Sequence, residues 1–113
     1  MSSYFKVNTT GAAAVASSAT VPTGENYRLV SITVHFSSAP TTSEVLTVKL
    51  NANAGAAYDT TLYSLNPSTG STTDIVYQPT YPLVLEGDDS VDIAFTNTDT
   101  RTYGIQITLQ GLA

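Results

Sequence analysis

The chain has 113 residues, no cysteine, a single histidine and a formal net charge of −5. That length makes one domain able to bury a core without staples, and the missing thiols exclude a disulfide framework and thiolate chemistry. Only 12% of residues are charged, about half the usual share, and the acidic balance is repelled by phosphate backbones, which argues against a nucleic-acid partner. No apolar run approaches a membrane span. In the opening MSSYFKVNTTGAAAVASSA only Ala12 to Ala16 is continuously apolar, too short for a signal-peptide core. Ser, Thr, Asn and Ala stand where a free domain usually carries ions. Such a surface packs against neighbours without desolvating many charges, which favours life inside an assembly.

In chain order, "YFKVN" and "AVASSATV" predict two weak strands, followed by the turn "PTGEN". "NYRLVSITVHF" predicts a long strand with Val30, Ile32, Val34 and Phe36 on one face and Ser31, Thr33 and His35 on the other. After "SSAPTTSE" comes "VLTVKLN", where Leu46, Val48 and Leu50 alternate with Thr47 and Lys49. "NANAGA" leads to the weaker strand "YDTTLYSL", "NPSTGST" to "TDIVYQP", and then "YPLVLE" follows. Beyond "EGDDS" the alternation is clear again. Val91, Ile93 and Phe95 face one way in "SVDIAFTN", and after "NTDTR" so do Tyr103, Ile105, Ile107 and Leu109 in "YGIQITLQ". A period of two with Thr, Val, Ile and Tyr is that of half-buried strands. No segment of useful length shows helical spacing. The expected fold is all-β: one antiparallel, jelly-roll-like sandwich of about eight strands over residues 1–113. Residues 1–20 form either an extended arm or an edge strand.

Four carboxylates, Glu86, Asp88, Asp89 and Asp92, surround Gly87. A calcium loop needs six to eight converging oxygens, and this spacing does not follow the alternating acidic loop pattern. "EGDDS" reads instead as a structural turn of Gly87, Asp88 and Asp89, with Gly87 taking positive φ and the aspartates bonding local amides. No metal or cofactor is expected.

His35 is the only histidine, and no nucleophile-elbow pattern accompanies it. It reads as an exposed or interface residue rather than part of a triad, and no catalytic residue is assigned. Tyr58, Tyr63, Tyr77, Tyr81 and Tyr103 lie in or beside strands, where a ring with a polar tip suits core margins and subunit contacts. Lys6, Arg28, Lys49 and Arg101 are the only cations and are scattered. Asp99 is expected to pair with Arg101 or to cap its turn.

One layout runs through nearly the whole chain: "VPTGENYRLVSITVHFSSAP", "NAGAAYDTTLYS", Pro82-Leu83-Val84-Leu85-Glu86-Gly87-Asp88 before Val91, Ile93 and Phe95, and "NTDTRTYGIQITL". It resembles the small single-domain β-sandwich structural proteins of tailed bacteriophages. The resemblance is one of layout and brings no diagnostic motif. It implies a non-enzymatic virion component assembled in the host cytoplasm: a capsid decoration (cement) protein bound to the major capsid protein, or a receptor- or carbohydrate-binding fibre or knob domain. A homo-oligomer is expected, with a trimer favoured by the local threefold positions of shells. Tyr4, Phe5 and Val7 are the candidate inter-subunit contacts, through strand addition to a neighbour's edge. Thr41, Thr42, Ser68, Thr69, Asp99 and Arg101 mark the candidate partner-facing loops.

Overall fold

The computed structural model describes residues 3–112. Nine strands follow one another: β1 (Tyr4–Gly11), β2 (Val15–Thr20), β3 (Asn26–Phe36), β4 (Leu46–Asn51), β5 (Thr60–Leu65), β6 (Asp74–Tyr77), β7 (Leu83–Leu85), β8 (Ser90–Phe95) and β9 (Tyr103–Leu112). The only helical turn is a 3₁₀ turn at Ala56–Tyr58, among the described residues. Sheet A has the order β1-β9-β3-β6, with β7 also on β3, and sheet B the order β2-β8-β4-β5. Every pairing is antiparallel.

The topology follows from one folded ribbon. β4 pairs with β5, β3 with β6 and β7, β2 with β8, and β1 with β9. Rolling that ribbon brings β9 against β3 and β8 against β4, which completes both sheets. This is the jelly roll. The nine strands agree with the sandwich of about eight expected from the sequence, and residues 78–82 break one position of sheet A into β6 and β7. Pro79 and Pro82 lie in that break, and proline cannot donate to a ladder.

Alternation supplies the core. Val34, Phe36, Val48, Ile93, Phe95, Ile105 and Ile107 are all buried, together with Ile32, Leu46, Val91 and Leu109. Phe36 of sheet A meets Phe95 of sheet B with ring centroids 5.5 Å apart, so the two sheets interlock near the end where β3 and β8 finish. One expectation fails at Val30. The β3–β9 register shifts between Leu29 and Ser31, so Val30 is the extra residue of a bulge. The bulge reverses the phase: Leu29 is buried below it and Ile32 above it, while Val30 is only half-buried.

The two long sides of the sandwich close differently. On one side Tyr63 of β5 stacks on Tyr77 of β6 at 5.2 Å. On the other, the Thr9 and Ser17 hydroxyls bond at 2.9 Å between β1 and β2. Thus residues 4–11 form an edge strand of their own sheet rather than a free arm.

Candidate docking face and the loops that frame it

The loops after β1, β3, β5 and β8 share one end of the sandwich, because those strands all run toward it. Asn97 is buried there at φ 55°. Its Nδ2 donates to the Ala13 and Arg101 carbonyls at 2.9 and 3.0 Å, with the Ala12 carbonyl at 3.3 Å. Its Oδ1 accepts the Arg101 amide at 3.0 Å. Asn tolerates the left-handed region better than most residues, so one side chain closes its own turn and holds the loop after β1.

Asp99 does a similar task for the loop after β3. It accepts the Thr41 and Thr42 amides, both at 2.8 Å, and the Thr42 hydroxyl at 2.8 Å. These bonds, the Thr42 amide first, hold its pKa down at about 2, with a smaller contribution from the Arg101 charge. The expected partner is therefore corrected. Asp99 caps a neighbouring loop and forms no ion pair with Arg101, whose Nε donates instead to the Ala39 carbonyl at 3.2 Å. Glu44 accepts from the Thr98 hydroxyl and amide, at 2.5 and 3.1 Å. Ser68 donates both its amide and its hydroxyl to Asn66 Oδ1, and Asn66 Nδ2 reaches Ser43. Thr69 donates its amide to the Asn66 carbonyl at 3.1 Å and is exposed. The structure thus gathers Thr41, Thr42, Ser68, Thr69, Asp99 and Arg101 at one end.

At the opposite end, the acidic turn is stitched to two other loops. Asp89 accepts the Glu86 and Asn53 amides, each at 2.8 Å. Asp88 accepts the Thr23 hydroxyl at 2.7 Å, and its own amide donates to the Val21 carbonyl at 2.9 Å. Asp92 accepts from Ser18 and Ser90 on the outer face of sheet B. The positive φ, 70°, falls on Asp88 and not on Gly87 as expected. Gly87 serves close approach instead: a Cβ there would meet the Gly24 nitrogen at 2.7 Å. Among the described residues, no three His, Cys, Asp or Glu side chains group as metal ligands, and no helix is long and apolar enough to cross a membrane.

The outer face of sheet A presents four rows, read directly from the strand registers. Thr10, Gly104, His35 and Asp74 form the first; Asn8, Gln106, Thr33 and Val76 the second; Lys6, Thr108 and Ser31 the third; Tyr4, Gln110, Arg28 and Val84 the fourth. Gly104 leaves a gap between its neighbours. The gap opens a hollow of about 420 Å³ bordered by Asn8, Thr10, Thr33, His35 and Gln106. His35 Nδ1 lies 2.6 Å from Asp74 Oδ1. An ionised carboxylate only accepts, so Nδ1 carries the proton and Nε2 faces away. That bond is the first cause of the lowered Asp74 pKa, ahead of the Thr73 hydroxyl. Arg28 Nε donates to Gln110 at 2.6 Å.

Exposed apolar side chains stand on this face and its edge: Tyr4 at 65% exposure, Val76 at 67%, Val84 at 56%, and Tyr81, in the β6–β7 break, at 80%. Of the nine acidic residues only Asp74 lies in these rows, against Lys6 and Arg28. Of the three expected subunit contacts, Tyr4 projects outward. Phe5 packs edge-on against Tyr27 at 6.1 Å, and Val7 leans on the core. The hollow was not foreseen in the sequence. Its one signal is a glycine in the otherwise alternating strand "YGIQITLQ".

No family model and no curated protein matches the sequence. Among solved structures, the chain is similar to a chain of the "Cyanophage Pam1 capsid asymmetric unit". The two share 18% identity, over 98% of this chain and 82% of that one, with a TM-score of 0.46.

Proposed function

We propose that this protein is a non-enzymatic structural component of a phage virion, a decoration protein that docks on the major capsid protein and stabilises the shell. The observation that carries the reading is the outer face of sheet A. There neutral amides and hydroxyls surround the exposed Tyr4, Val76 and Val84, and the four rows hold a single carboxylate. A surface of this kind buries apolar area against a partner while stranding few charges. Shell stabilisation follows by mass action, since a ligand that binds only assembled subunits shifts their equilibrium toward assembly. A closed homo-oligomer, a trimer on local threefold positions, is the arrangement such a shell favours. On this reading Tyr4, which projects outward, is the β1 residue free to meet another virion subunit, whereas Phe5 and Val7 pack on Tyr27 and the core of their own protomer.

The alternative is a receptor- or carbohydrate-binding domain. It rests on the gathering of Thr41, Thr42, Ser68, Thr69, Asp99 and Arg101 at one loop end. The two readings use different surfaces, so one experiment separates them. Purified protein is sedimented with undecorated shells and, separately, applied to a glycan array. The decoration reading expects shell binding that the double variant Val76→Asp, Val84→Asp weakens at least about tenfold, with an unchanged melting temperature. Glycan binding without shell binding would replace it with the alternative.

A further inference from the structure

The β1 edge of sheet A carries a bare row of backbone groups whose order can be worked out. The Gly111 amide donates to the Ser3 carbonyl at 2.7 Å, in line with the β1–β9 register that sets Tyr4 opposite Gln110. In an antiparallel ladder the bonded pairs alternate. Phe5, Val7 and Thr9 therefore turn their amides and carbonyls toward β9. Tyr4, Lys6, Asn8 and Thr10 turn theirs outward, away from the sheet.

Proteins blunt such edges with prolines, bulges, short length or charge. The other edges show these devices. β6 and β7 are separated by Pro79 and Pro82, the β5 ladder shifts opposite Val48 and Lys49, and β2 has six residues. β1 has eight residues in unbroken register, no proline, and Lys6 as its only ion.

We propose that β1 pairs antiparallel with β1 of a second copy of this chain, about a twofold axis at Val7. The register follows from the residues. Only outward-facing residues can exchange bonds, so even-numbered residues must oppose even-numbered ones. An axis at Lys6 sets lysine against lysine, which is unfavourable. An axis at Asn8 leaves Tyr4 without a strand partner. The axis at Val7 uses the whole strand: Tyr4 faces Thr10 of the partner subunit and Lys6 faces Asn8 of the partner subunit, twice each by symmetry. Four bonded pairs exchange about eight hydrogen bonds. Val7 meets its own copy at the closest cross-strand spacing, and the outer-face rows run on from one protomer into the next. The pairing leaves threefold rings open as an arrangement, because it would join protomers of neighbouring rings.

The test uses purified protein without shells, so its failure removes the edge pairing and leaves the shell reading untouched. Light scattering behind size exclusion, from about 1 μM to about 1 mM, should show even-numbered species. Asn8→Pro deletes an outward amide that an edge strand can forgo, and should abolish pairing while circular dichroism and melting stay as in the parent. Asn8→Asp sets a carboxylate opposite the partner's Lys6 and should tighten pairing about two- to tenfold, whereas Asn8→Lys should loosen it by a similar factor. Two results would overturn the proposal. One is a monomer or a lone trimer at every concentration. The other is association that ignores Asn8→Pro, or that reverses the order of the Asp and Lys variants.

Discussion

Asn97 and Asp99 reach from the loop after β8 to the loops after β1 and β3, whose flanking strands pair with β8 and β9, and at this scale single atoms decide the outcome. Truncating Asn97 to alanine strands the Arg101 amide and the Ala13 carbonyl, and it leaves a residue with no local bonding in left-handed backbone. Asn97→Ala should cost about 2–4 kcal/mol in urea denaturation. Asp99 makes a prediction in pH. Its folded pKa of about 2 lies below the ordinary 3.8, so its contribution is fully present above pH 3.8. That contribution fades as pH falls toward about 2, because protonation is more favourable in the unfolded chain. Asp99→Asn should flatten that part of the stability profile measured between those limits. Neither role is legible in "NTDTR". The turn is visible there, but the partner groups, on Ala13, Thr41 and Thr42, lie far away along the chain, and periodicity carries no information about loop-to-loop bonds.

The strands were far more legible than the loops, because a period of two is imposed by the pleat itself. Phe95 illustrates the gain. Its alternation with Asp92 and Ala94 predicts burial, and the ring lies against Phe36 in the core. Phe95→Ala should cost about 3–5 kcal/mol; a change below about 1 kcal/mol would mean that the site collapses around the loss. Val30 illustrates the limit. A bulge inserts one residue without altering composition, so "RLVSIT" reads as unbroken alternation while the structure changes phase within it. The acidic turn is a mixed case. Its role as a corner is visible in "EGDDS", but Gly87 is demanded by backbone from Pro22 to Gly24, another segment altogether. Gly87→Ala should therefore destabilise by about 1–3 kcal/mol through forced displacement of that backbone. Because Asp88 and Asp89 already accept amides and a hydroxyl, thermal melts with chelator and with added calcium should coincide. A rise of several degrees with calcium would show specific binding to the folded state.

For the molecule as a whole, the rolled ribbon sets the order in which contacts can form. Its ends meet last in sequence terms, Tyr4 opposite Gln110, and such non-local pairing folds in milliseconds to seconds rather than microseconds. β9 is the last of the described strands, yet it lies between β1 and β3 in sheet A. While the chain is being made, β1 and β3 emerge from the ribosome long before the strand that joins them. For most of that interval the nascent chain holds two open strand flanks and an unsealed apolar interior, a state prone to aggregation. Emergence of the ten residues of β9, Tyr103–Leu112, is then the step that turns a vulnerable nascent chain into a closed one. A chain stalled on the ribosome before Tyr103 should remain protease-sensitive throughout, and one stalled with β9 outside the exit tunnel should become resistant in a single step.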